Sequence, residues 1–272
     1  MTEIKVIFEY SKGCRKHINQ DAYGINNNIF WVIDGATEVF PNSLHSKSGD
    51  VHWVVNMLSK ELRSCNTTMP LKSILKKAIR SMREKAVTIS PKILTMPANI
   101  LPTYAIVCVK VLETSLEYLC LGDCSLFVSN NPCTRITDNR IEPVHLLVNA
   151  TKEQYKDNLQ LYNSKVLETV RSIKQYINVE GGYWIGSYDP EIVDHAIVGK
   201  VSIGNGDRFL LCSDGFRPSI DEANLVHFNP LDIFNKNVLK TLLEEQEKSE
   251  IKFLNHSGID IIDDKTVLLV QV

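Results

Sequence analysis

Short apolar runs bounded by turn residues mark the strands of this chain, and three-four spacing marks its helices. Ile4 to Phe8 reads as an opening strand, and Ile29 to Ile33, five apolar residues in a row, as a strand buried on both faces. In "GDVHWVVNMLSKELRSC" the residues Val51, Val54, Val55, Leu58 and Leu62 line one face of an amphipathic helix. A second helix follows Pro70, its apolar face formed by Leu71, Ile74, Leu75, Ala78, Ile79, Met82 and Ala86. Thr103 to Leu112, Leu116 to Leu121 and Ser125 to Ser129 read as consecutive strands of an antiparallel meander. From Val148 to about Ile177 the pattern is helical and polar with an irregular stripe, stopped by Gly181-Gly182. Ile197 to Ile203 and Phe209 to Cys212 are strands joined by the tight "GNGDR" turn. Leu231 to Lys248 reads as a helix, and "TVLLVQV" as a closing strand. Such an order lacks the regular βαβα alternation of a parallel sheet. It predicts an α+β chain: two mostly antiparallel sheets with helices packed outside them.

Composition narrows the setting. The chain has 272 residues, 44% hydrophobic and 23% charged, enough to bury a sizeable core. A net charge of −2 gives no electrostatic case for nucleic acid or an anionic membrane as partner. No apolar stretch approaches the roughly 20 residues that span a bilayer, and charges interrupt the opening "MTEIKVIFEY", unlike a secretory signal. The seven cysteines are an odd number and include no C-x-x-C pair, which argues against a zinc knuckle or a redox dithiol. A reducing cytoplasm is the simplest setting, with Cys108, Cys120 and Cys212 acting as small buried hydrophobes.

Two strands end in the same way. "FWVIDG" delivers Asp34-Gly35 and "RFLLCSDG" delivers Asp214-Gly215. A lone Asp-Gly after a strand reads as a two-residue hairpin turn, but a hairpin needs a partner strand at once. "ATEVFPNSLHSK" and "FRPSIDEAN" are polar and contain proline instead. The other reading is that each strand end projects a carboxylate into one pocket, where glycine permits close backbone approach. Asp21 in "NQDAY" and Asp263-Asp264 in "IDDKTVLLV" stand at further strand edges. Carboxylates gathered in this way raise one another's pKa unless cations neutralise them, and oxygen donors suit Mg²⁺ or Mn²⁺.

In chain order, "NQD", the apolar run with Asp34-Gly35, "LGDCSLFV", "GDRFLLCSDG" and "DDKTVLLV" resemble the metal-dependent protein serine/threonine phosphatases of type 2C, particularly compact bacterial members. The match runs from Gly13 to Val272. It implies one catalytic domain over residues 1–272, a β-sandwich of two antiparallel sheets flanked by helix pairs. It implies a phosphatase of phosphoserine and phosphothreonine proteins, acting through a metal-activated water in a signalling context. By resemblance, Asp34 would bridge two Mn²⁺ or Mg²⁺ ions, with the Gly35 carbonyl on one of them. Asp214 and Asp263 would complete the second ion's site, Asp21 would hold water behind it, and Asp123 would serve a third, looser ion. Residues from Arg140 to Tyr183 would form the family's flap, outside the sandwich and comparatively mobile. The partner implied is a phosphorylated protein, met by a monomer.

Departures from the pattern matter equally. Gln20 stands where many relatives have glutamate, and "LPTYAIV" replaces the usual start of the central strand. Where a phosphate-holding arginine is expected the chain has Lys16, with Arg15 beside it; lysine supplies charge without the bidentate fork. His17 is a candidate general acid or a surface histidine, while His52 and His195 read as structural or solvated. Two other readings stay open: a catalytically weak binding or signalling module, and a hydrolase of small phosphoesters.

Overall fold

The computed structural model describes residues 3–15, 17–36, 38, 44–45, 49–130, 132–216 and 230–272. Its strands are β1 (Lys5–Lys12), β2 (Ala22–Asn26), β3 (Ile29–Gly35), β4 (Tyr104–Val111), β5 (Ser115–Leu121), β6 (Ser125–Val128), β7 (Thr134–Ile136), β8 (Ile197–Ser202), β9 (Arg208–Cys212) and β10 (Lys265–Gln271). The helices are α1 (Asp50–Ser64), α2 (Leu71–Ile89), α3 (Glu142–Tyr155), α4 (Leu159–Ile173) and α5 (Lys236–Ser257). One sheet has the order β1-β10-β9-β6-β7 and the other β2-β3-β4-β5-β8, with every neighbouring pair antiparallel.

Strand alternation decides what each face touches, because successive side chains point to opposite sides. Along β3, Ile29, Trp31 and Ile33 pack under α1 and α2, while Phe30 and Val32 face the other sheet. Phe30 meets Phe209 edge-on there, with ring centroids 5.5 Å apart. On the far side, Leu210, Cys212, Val267 and Leu269 pack against Leu239 and Leu243 of α5. The result is four layers, α-β-β-α, and the central strands of both sheets are apolar on both faces. Each large side chain buried in this way contributes about 1.5–3 kcal/mol. One outer layer is the pair α1 and α2; among the described residues the other is α5 with a short 3₁₀ turn before it.

Several expected elements are redrawn. The meander from Thr103 to Ser129 is divided: β4 and β5 pair in one sheet, while β6 belongs to the other. Likewise β8 and β9, joined by "GNGDR", lie in different sheets, so the turn is a crossing and not a hairpin. β2 is additional to the expected strands. The single helix expected from Val148 to Ile177 is two, α3 starting earlier at Glu142 and α4 restarting at Leu159. Asn158 caps the restart by accepting from the Leu161 N–H. The helix expected over Leu231–Lys248 begins later, capped by Asn235, and runs on to Gly258, where a φ of 71° ends it.

Candidate metal centre

Antiparallel pairing explains how residues distant in sequence meet. The ends of β3, β5 and β9 lie beside the starts of β2, β4, β6 and β10, all at one end of the sandwich. Asp34 is the penultimate residue of β3, Asp123 lies in the β5–β6 turn, and Asp214 follows β9. Asp21 immediately precedes β2, and Asp263 and Asp264 precede β10. The two Asp-Gly ends touch directly: the Asp214 N–H donates to Asp34 Oδ2 at 3.1 Å.

Both glycines are required by close approach. A Cβ on Gly35 would lie 2.6 Å from the Gln20 carbonyl oxygen, and one on Gly215 only 1.8 Å from that of Asp264. Each is a place where backbone crosses backbone, and among the described residues neither leads into a hairpin.

Asp34, Gly35, Asp123, Asp214 and Asp263 line one cavity of about 640 Å³. Burial raises the Asp34 carboxyl well above the usual carboxylate range, and the charges of Asp21, Asp214, Asp123 and Asp263 push it further. Asp21 sits behind this lining, 5% exposed, and neither of its oxygens makes a well-formed hydrogen bond. Burial pushes its carboxyl up to about 8, the nearby Ser213 and Thr266 partly offsetting this. Asp264 is the better satisfied of the terminal pair: it accepts from the Cys14 and Gln20 N–H groups, each at 2.6 Å. Asp263, which is exposed, accepts from the Asp264 N–H at 2.9 Å. An all-oxygen set of carboxylates, with one carboxylate buried and unsatisfied behind it, suits a hard divalent cation.

α3 and α4 roof the cavity, Val144, Val148 and Tyr162 reaching its lining. Here the structure adds residues that sequence reading missed. His145 Nε2 donates to Asp123 Oδ2 at 2.9 Å, and Asp123, His145 and Asp214 bring one donor atom each within 4.8 Å of one another. Lys152 and Lys174 also line the cavity, and burial lowers the Lys174 pKa. No local signal distinguishes these three in a polar helical stretch; only the tertiary contact does. Arg15 is exposed and lines a neighbouring cavity of about 250 Å³, which shares Asp263 with the first. Lys16 lies outside the described residues. His17 lines the carboxylate cavity, His52 Nδ1 donates to the Asn19 carbonyl at 2.8 Å, and His195 stacks on Trp184.

Solved structures share this architecture end to end. The serine/threonine phosphatase PstP/Ppp of Mycobacterium tuberculosis superposes with a TM-score of 0.57 at 14% identity, covering 99% of this chain and 98% of its own. The chain has the fold of the PPM serine/threonine phosphatases. The catalytic domain of PstP in complex with 2 manganese ions matches with a TM-score of 0.56 at 14% identity, over 98% and 97% of the two chains. The PPM phosphatase MsPP of Mycobacterium smegmatis, in complex with cacodylate, matches at 0.53 and 18% identity over 98% and 99%. No protein-family model matches the sequence, and no curated protein matches it.

Proposed function

We propose that this chain is a metal-dependent phosphoprotein phosphatase, hydrolysing phosphoserine and phosphothreonine at a two-metal aspartate site. The observation that carries the reading is the convergence of Asp34, Asp123, Asp214 and Asp263, from strand ends of both sheets, on one cavity. Asp34 would bridge two Mn²⁺ or Mg²⁺ ions, the Gly35 carbonyl joining one and Asp214 and Asp263 the other; Asp123 would serve a third. Bound there, the cations would activate water for attack on phosphorus and neutralise the phosphate charge.

The chain's own residues do the rest. The Asp214 N–H fixes the orientation of the Asp34 carboxylate. Asp21 is placed to accept from a water behind the lining, which would satisfy its buried oxygens. Lys152 and Lys174, reaching the cavity from the roof, are placed to attract a phosphoryl group as point charges. Lys16 and Arg15 remain candidates for the same task. α3 and α4 form the flap that would select the peptide around the phosphorylated residue. A monomer in the cytoplasm fits this reading; among the described residues no helix is long and apolar enough to cross a membrane.

The test is turnover of p-nitrophenyl phosphate beside a phosphoserine or phosphothreonine peptide, with Mn²⁺, with Mg²⁺ and with a chelator. Turnover of both substrates, lost on chelation, is expected. Turnover of the small ester alone would make it a small-phosphoester hydrolase. Metal binding without turnover would make it a binding module.

A further inference from the structure

A second group of donors, two of which line the same cavity, takes no part in the proposed hydrolysis. Cys14 and His17 lie on the loop after β1, and Asp264 immediately precedes β10. The cysteine sulfur, an imidazole nitrogen and a carboxylate oxygen all lie within 4.8 Å of one another. We propose that Cys14, His17 and Asp264 form a binding site for zinc or a divalent cation of similar softness, separate from the all-oxygen aspartate site.

One donor pair already has the spacing of an occupied site, and Asp264 Oδ2 lies 3.7 Å from the other ring nitrogen, His17 Nδ1. Cys14 Sγ lies 3.4 Å from His17 Nε2, and a tetrahedral zinc would hold such a sulfur and nitrogen about 3.5 Å apart. His17 Nδ1 is 3.0 Å from the Ile18 carbonyl oxygen. A carbonyl only accepts, so Nδ1 carries the proton and Nε2 presents its lone pair toward the sulfur. Ligating histidines are oriented by the same arrangement, a carbonyl behind the ring fixing the tautomer. Asp264 is held in place by its bonds from the Cys14 and Gln20 N–H groups, and a carboxylate retains lone pairs beyond those two.

Donor chemistry separates the two sites. Asp34, Gly35, Asp214 and Asp263 offer oxygen alone, which suits Mg²⁺ and Mn²⁺; thiolate and imidazole favour zinc and its neighbours. Three protein ligands would leave a fourth tetrahedral position for water. Access is through the histidine, 29% exposed, since Asp264 is 5% exposed. On binding, the Cys14 thiol gives its proton to water and its sulfur forms the bond to the cation, so uptake releases one proton and needs no redox partner.

Cobalt(II) is the probe, because a thiolate bonded to it gives a near-ultraviolet charge-transfer band that oxygen ligands do not. The wild-type protein should show this band, and zinc should bleach it. Asp34→Asn should keep the band, and Cys14→Ser, folded by circular dichroism, should lack it. His17→Ala retains the sulfur and should weaken cobalt binding by about tenfold or more. Absence of the band in the wild type, its persistence in Cys14→Ser, its loss in Asp34→Asn or an unchanged affinity in His17→Ala would each overturn the assignment. None of these readouts depends on turnover, so they stand or fall apart from the phosphatase reading.

Discussion

β4 and α3 border the same cavity and are held by opposite means. All eight residues of β4 are buried, with α1 and α2 on one face and the second sheet on the other. None of the 14 residues of α3 is buried. Its attachment is the cluster around Ile141, Ile173, Ile177, Tyr183 and Ile185, which Val144 and Val148 join, and the hydrogen bond from His145 to Asp123. The floor of the site is therefore part of the core, while α3 in its roof buries none of its residues. Few buried apolar contacts place the roof among the segments that open locally before the whole molecule unfolds.

The sharpest test of that division acts on the floor. Asp34→Asn or Asp214→Asn should lower metal-dependent turnover by a factor on the order of 10³ while leaving thermal stability near normal. Kinetics and a melting curve together check it, and near-normal turnover in either variant would remove the proposed site. Truncation of the core comes next: Phe30→Ala should destabilise by about 3–5 kcal/mol in chemical denaturation. Leu147→Ala, on an exposed α3 position, should stay within about 0.5 kcal/mol. Comparable losses at the two positions would break the comparison.

The pH dependence should expose the strain at the floor. An aspartate has a pKa of about 3.9 in the unfolded chain, and in the fold Asp21 is pushed up to about 8. The folded state thus favours the protonated form, so metal-free stability is greatest below pH 4 as far as this group is concerned. It is lost as pH rises toward 8, by an amount on the order of a few kcal/mol. Melting curves from pH 5 to 8 should fall for metal-free protein, and the fall should be smaller in Asp21→Asn. The smallest expected effect is on the roof: His145→Ala should quicken hydrogen exchange in α3 by about tenfold or less and leave β9 unchanged. Protection of α3 equal to that of β9 in the wild type would contradict the picture of a loose attachment.

The same contrast governs what could be read from sequence. β3 and β9 are uninterrupted apolar runs, and α1 and α2 carry full apolar stripes, so burial writes them directly into local pattern. The strand-end aspartates were legible because the sequence after each Asp-Gly is polar and contains proline. What local pattern lacks is the choice of sheet. β5 and β6 read as neighbours, and nothing within "LCLGDCSL" says that the chain crosses between layers there. β2, with Gly24 and mixed exposure in "AYGIN", gains its strand character from pairing with β3 rather than from its own residues. His145 has the same kind of invisibility, since its partner Asp123 is 22 positions away.

The order in which strands pair has a consequence for how the protein is made. β10 lies between β1 and β9, so the first strand of the chain waits for residues 265–271 before it has a neighbour. At ribosomal speed that interval is on the order of tens of seconds. Throughout it the β1 backbone presents open edges, joined late in the interval by that of β9, the kind of surface that recruits strands from other chains. Asp263 cannot join Asp34, Asp123 and Asp214 until β10 has inserted, so insertion of one strand closes the sheet and completes the proposed metal centre in the same event. A nascent chain halted before that point would be prone to aggregation and would lack one ligand of the proposed metal centre.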